Sequence, residues 1–85
     1  MRLQTTRPFD RDYVRLPDSI KDQVDKQMAL LLANPQHPSL NFKRIRGTRG
    51  IWEARINRSY RMTLEVVDNT YLLRRVGSDD VLNQP

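Results

Sequence analysis

Ile51-Trp-Glu-Ala-Arg55-Ile-Asn-Arg-Ser-Tyr60-Arg-Met-Thr-Leu-Glu65-Val-Val67 decides how this chain folds. Apolar and polar residues alternate on both sides of Asn57-Arg58-Ser59, a triplet with turn chemistry. Side chains alternate faces along a strand. Trp52, Ala54 and Ile56 therefore share one face, and Glu53, Arg55 and Asn57 the other. After the turn, Tyr60, Met62, Leu64 and Val66 form an apolar set, against Arg61, Thr63, Glu65 and Val67. So short a connection pairs the two strands antiparallel. Downstream, Asp68-Asn69 is a hairpin turn, and Thr70 to Val76 reads as a last strand closed by Gly77. Leu72 and Val76 conflict in parity with Leu73 there, so either Arg74 or Arg75 joins the polar face. Upstream, Phe42 to Arg46 reads as a strand ending at Gly47, and Gly47 to Gly50 as a turn with Arg49 at its tip. An inward Ile45 in that strand sends Arg44 and Arg46 outward.

Toward the N-terminus the apolar period lengthens from 2 to 3.6. Arg2 to Thr6 reads as a first strand. Pro8 suits a first helical turn, where no N–H is needed. Phe9, Tyr13 and Leu16 then fall at i, i+4 and i+7 on one helical face. Pro17 breaks that helix and opens the next. Ile20, Val24, Met28, Leu31 and Leu32 make one stripe from Asp18 to about Ala33, with Asp22–Lys26 a favourable i,i+4 pair. Asn34-Pro35 ends it. The order is β-α-α-β-β-β-β. The class is α+β, a small antiparallel sheet packed on an N-terminal αα-hairpin, because nothing else can bury either surface.

At 85 residues there is room for one domain, spanning 1–85. There is no cysteine, and the lone His37, between Gln36 and Pro38, reads as a surface loop residue. A disulfide framework, a cysteine-ligated zinc site and a histidine cluster are thereby excluded. No metal and no cofactor are called for. No apolar run reaches the length of a membrane span, and no secretory signal is visible. A cytoplasmic protein is expected. Fifteen Lys and Arg against ten Asp and Glu leave a net charge of +5. The excess is uneven, since residues 40–76 hold nine basic and three acidic side chains. Such clustering is what an electrostatic footprint for a polyanion looks like. Most of the cations are arginines, whose planar fork suits phosphate oxygens.

Alternation gathers Arg44, Arg46, Glu53, Arg55, Arg61 and Glu65 on the face turned away from the helices. The plain alternative is a salt-bridged, solvent-facing sheet with Glu53–Arg61 or Arg55–Glu65 pairs. Arginines outnumber carboxylates there, and a surplus of guanidinium groups favours an added anion.

Several segments resemble the RelE/ParE superfamily of type II toxins. They are Asp10-Arg-Asp-Tyr-Val-Arg-Leu-Pro17, Asn34-Pro-Gln-His-Pro-Ser-Leu40 and Lys43-Arg-Ile-Arg-Gly47, followed by Gly50-Ile-Trp-Glu-Ala-Arg55, Ser59-Tyr-Arg61 and Arg74-Arg-Val-Gly77. The resemblance covers nearly the whole chain, in order. It implies the sheet and helical hairpin derived above, and a cognate antitoxin. In the RelE branch it implies ribosome-dependent mRNA cleavage; the ParE branch instead poisons DNA gyrase. Arg61 matches the family's transition-state arginine, Arg46 a backbone-holding basic residue, and Arg55 the arginine usual in Trp-Glu-Ala-Arg. The chain departs from the pattern at its end: close relatives often read Val-Gly-Thr-His-Asp, and here Asp79 stands at the histidine position.

RNA cleavage of this kind needs a base for the 2′-OH, a cation for the phosphorane and an acid for the leaving 5′-oxygen. The resemblance gives Arg61 the cation's role, with Arg55 or Arg46 positioning the phosphate. Glu53 and Asp79 are the nearby carboxylates that can accept the proton. Lys43, Arg44, Arg46, Arg49, Arg58, Arg74 and Arg75 complete the expected RNA-binding set. The expected partners are the antitoxin, with an acidic stretch matching Arg44, Arg46, Arg55 and Arg61, and the ribosome with its mRNA. The alternatives are a gyrase-inhibiting or catalytically degenerate toxin, and a harmless nucleic-acid-binding module.

Overall fold

The computed structural model describes residues 1–85. The elements are β1 (Arg2–Thr5), α1 (Arg7–Val14), α2 (Asp18–Ala33), β2 (Lys43–Arg44), β3 (Ile51–Arg55), β4 (Tyr60–Val67) and β5 (Thr70–Ser78). Two 3-10 turns, Pro38–Leu40 and Asp79–Asn83, flank the sheet segments. The strand order is β1-β5-β4-β3-β2. Strands β2 to β5 pair antiparallel, as short connections require. Asp68 and Asn69, both at positive φ, make the β4–β5 hairpin turn. The edge strand β1 pairs parallel to β5, with Leu3 opposite Tyr71, so the sheet is mixed.

Each helix starts where its chemistry allows. The Thr6 hydroxyl caps α1 by accepting from the Phe9 N–H, and it donates to the Leu73 carbonyl at 2.9 Å. Pro17 precedes α2, and Asn34-Pro35 follows it. Phe9, Val24, Leu31 and Leu40 pack on Ala54, Met62, Leu64, Tyr71, Leu73 and Val76, forming one core between helices and sheet. Full burial of each leucine stabilises by about 1.5–3 kcal/mol. Phe42 stacks on Trp52 at 4.7 Å between ring centres and meets Tyr71 edge-on. No helix is long and apolar enough to cross a membrane.

The stripe on α2 differs from expectation at two places. Leu32 is exposed, and Gln27 takes a buried position between Val24 and Leu31. Its amide donates to the Arg55 carbonyl at 3.0 Å, so a polar side chain is tolerated because it is bonded. Asp22 and Lys26 form no ion pair; Lys21 lies 3.9 Å from Asp18 instead.

The Tyr13 hydroxyl joins the two helices by donating to Asp25 Oδ1 at 2.7 Å. That bond raises the phenol pKa above its ordinary value, and burial and the Asp25 and Asp22 charges push the same way. A raised pKa in the folded state means that the contribution is complete at neutral pH. It fades as pH climbs past about 10 and through the shifted value. Tyr13→Phe is expected to cost less than about 1 kcal/mol at pH 8, because the bond is exposed. The gap to wild type should shrink at pH 11. Urea midpoints at the two pH values measure this.

Candidate functional site

The second face of the sheet carries the polar set, and strand register places it. Glu53 lies opposite Lys43 on one side and Thr63 on the other, and Thr63 lies opposite Arg75. Arg55 lies opposite Arg61, and Arg61 opposite Gly77. Two arginines facing each other repel. The repulsion is tolerated because Arg61 is screened by Glu53, 3.9 Å from its Nε, and by Asp79, 3.6 Å from its Nη1.

The Arg61 guanidinium is aimed by backbone. Its Nη1 donates to the Asn57 carbonyl at 2.7 Å and to the Tyr60 carbonyl at 3.0 Å. Nε and Nη2 have no hydrogen-bonded acceptor, since Glu53 stands beyond hydrogen-bond reach. That edge is a two-donor fork of the kind that grips a phosphate, with Glu53 at ion-pair distance from Nε. The turn that supplies both carbonyls is itself braced. Asn57 Oδ1 accepts from the Ser59 and Tyr60 N–H groups, and its amide donates to Gln23 of α2 at 2.6 Å.

Asp79 reaches Arg61 because the C-terminal segment folds back over this face. Val81 is buried, and the Thr63 hydroxyl donates to the Pro85 carbonyl at 3.0 Å. Thr63, expected on a solvated face, is fully buried under that segment. Gly77 makes the close approach possible, because a Cβ there would stand 2.9 Å from Val81 Cγ1. Gly77→Ala is expected to destabilise by about 1–3 kcal/mol through overpacking and to move Asp79 away from Arg61. The urea midpoint reads the first effect and a structure of the variant the second.

The register also corrects the expected arginine cluster. Lys43, not Arg44, shares the face of Glu53. Arg44 pairs with Trp52 on the helix side, its guanidinium 5.5 Å from the ring centre. Ile45 donates to the Ile51 carbonyl, which puts it on the Glu53 face rather than inward. Strand β2 covers Lys43–Arg44 alone, so Arg46 and Arg49 lie in the connection to β3, both exposed. A bulge resolves the parity conflict in β5, where Thr63 pairs with Arg75 and Leu64 with Leu73, leaving Arg74 over. Neither arginine is free. Arg74 bonds Glu65 at 2.8 Å, and Arg75 bonds Asp12 of α1 at 2.6 Å. The latter bond raises the Arg75 pKa, with the Asp12 charge adding to it and burial opposing it. Of the expected set, Lys43, Arg46, Arg49, Arg55 and Arg58 are the cations with neither a carboxylate partner nor an aromatic platform. Asp12 escaped the sequence reading because its partner lies 63 residues away.

A comparison with protein-family models gives no match, and neither does one with curated protein sequences. Solved structures do match. The RelBE2 toxin–antitoxin complex from Mycobacterium tuberculosis aligns at 25% identity and TM-score 0.75, over 91% of this chain and 95% of that one. The fold is that of the RelE/ParE toxins. YafQ from Escherichia coli aligns over 96% of this chain and 98% of its own, at 18% identity and TM-score 0.75. The YoeB/ParE toxin from Agrobacterium tumefaciens aligns over 92% and 98%, at 17% identity and TM-score 0.76. A RelE/ParE fold accounts for the helical hairpin, the four antiparallel strands and the parallel first strand together.

Proposed function

We propose that this chain is the toxin of a type II toxin–antitoxin pair and stops translation by cutting mRNA on the ribosome. The observation that carries the reading is the Arg61 fork, aimed by two carbonyls, with no hydrogen bond on its Nε and Nη2 edge and Glu53 3.9 Å from Nε. The 2′-oxygen attacks the adjacent phosphorus, forming the O2′–P bond and breaking the P–O5′ bond. Charge accumulates on the non-bridging oxygens, where the Arg61 donors stabilise it. Arg55, opposite in register, holds the same phosphate. Glu53 takes the 2′-OH proton, and Asp79 holds the Arg61 orientation from the exposed side. The 5′-oxygen takes its proton from water. General acid–base catalysis contributes about 10²–10⁴-fold, so a site with Asp79 at the histidine position is a slow nuclease. Positioning of the mRNA by the ribosome offsets part of that loss.

The partner in this reading is an antitoxin, with acidic side chains against Arg46, Arg49, Arg55 and Arg58, and the pair acts in the cytoplasm. RelBE2 is itself a toxin–antitoxin complex. The test adds purified chain to translating ribosomes and maps mRNA 5′ ends. New ends that require the ribosome and vanish with Arg61→Ala support the nuclease. Intact mRNA with a DNA-damage response on expression favours a gyrase-directed toxin instead. Harmless expression without any partner removes the toxin reading altogether.

A further inference from the structure

A second concavity lies around the corner from Arg61. Helix α2, the Pro38–Leu40 turn and the β3–β4 turn enclose a cleft of about 720 Å³. That volume suits a small polar ligand. Lys26, Arg55 and Arg58 line it, together with His37, Ser39 and Gln27, and no carboxylate does. None of the three cations is in an ion pair. Three like charges around one hollow repel each other until an anion enters.

The neutral lining is as directed as the charged one. His37 Nδ1 accepts from the Ser39 N–H at 3.2 Å and lies 2.9 Å from the Ser39 hydroxyl, so Nε2 is the ring nitrogen left for a ligand. Gln27 is 6% exposed and spends its amide on the Arg55 carbonyl and the Ser39 hydroxyl. Its Oε1 has no protein donor, yet solvent reaches it. The cleft thus offers cations for a phosphate, and the Gln27 carbonyl oxygen and the His37 Nε2 for the edge of a base.

Arg55 connects the two places. It lines the cleft and sits opposite Arg61 in the β3–β4 register. We propose that the cleft holds one nucleotide of a single-stranded RNA adjoining the phosphate at Arg61, with that nucleotide's phosphate held by Lys26 and Arg58. This rests on the RNA-directed reading above and extends it to a named binding pocket. It also explains why the charge of this end is left unneutralised while Arg74 and Arg75 are paired.

The experiment uses Arg61→Ala as the parent, so that bound RNA is not cut. Affinity for a twelve-nucleotide single-stranded RNA is followed by fluorescence anisotropy across a salt series. Lys26→Gln and Arg58→Gln are then added together, and the thermal midpoint confirms folding. Each lost phosphate contact lowers the slope of log affinity on log salt by about 0.7 on a single strand. The double substitution is expected to lower that slope by about 1.4 and to weaken binding about tenfold or more at low salt. Duplex DNA of equal length, which cannot insert a base, should lose much less. Unchanged slope and affinity for the RNA overturn the cleft alone. Equal losses for RNA and duplex overturn the nucleotide pocket in favour of diffuse charge. A parent that binds no RNA at low salt overturns the RNA reading itself, and the pocket with it.

Discussion

Arg61→Ala should lower ribosome-dependent mRNA cleavage about 10²–10³-fold, the usual cost of removing one donor aimed at developing charge. The size follows from geometry. Arg61 is held by the Asn57 and Tyr60 carbonyls through Nη1, so its remaining donors are already in place before a phosphate arrives. Such a group contributes without reorganising during the reaction. Arg61→Lys keeps the charge but loses the planar fork, and should recover little of the rate. Folding should weaken as well, because the Arg61 and Glu53 side chains are each 12% exposed and the change leaves Glu53 and two part-buried carbonyls without their cation, so the thermal midpoint is read beside activity. Primer extension on mRNA from translating ribosomes, with growth after induction, reads both consequences. An alanine variant that cuts and arrests growth like the wild type removes Arg61 from the chemistry.

Asp12→Ala is expected to destabilise the chain by about 3 kcal/mol, without touching the Arg61 edge of the sheet. Asp12 Oδ2 accepts from Arg75 Nε at 2.6 Å and from the Val76 N–H at 3.1 Å, and Oδ1 accepts from Arg75 Nη2. The Asp12 side chain is 17% exposed and that of Arg75 32%. This is a forked pair that also satisfies a backbone donor, unlike an ordinary surface ion pair worth under about 1 kcal/mol. Its loss removes charge-assisted bonds and leaves the Val76 N–H without an acceptor. For a domain of this size the thermal midpoint should fall by about 12–24 °C. Asp12→Asn keeps an acceptor for Val76 and should lose about half as much. Cleavage at low temperature should survive both changes, whereas Arg61→Ala should lower it about 10²–10³-fold at any temperature. A midpoint within about 2 °C of wild type would show the fork to be ornamental.

The alternation in residues 51–67 was legible because a strand's faces follow from a period of two, with no knowledge of neighbours. It placed Glu53, Arg55 and Arg61 together, and they are together. The helical hairpin was legible for the same reason, since Pro8, Pro17 and Pro35 punctuate a 3.6-residue stripe. Where a strand is only two residues long, that logic weakens. Strand β2 is read from its register against β3, which puts Lys43 rather than Arg44 beside Glu53. Inserting one residue into β5 defeats parity outright, so alternation alone leaves the faces of Arg74 and Arg75 open and the bulge decides them. Gln27 carried a usable signal, being three residues after Val24 and four before Leu31, but hydrophobicity alone passed over it.

Local periodicity and turn chemistry, then, determined the elements, their order and the residues on the polar face of the central hairpin. Only the tertiary structure decided which cations are spent and which are free. Asp12 reaches Arg75 from a helix at the other end of the chain, and Asp79 reaches Arg61 through a segment that folds back over Thr63. The parallel docking of β1 on β5 belongs to the same class. Such contacts join residues far apart in sequence, and their existence depends on where whole elements pack rather than on any repeat that a single stretch displays.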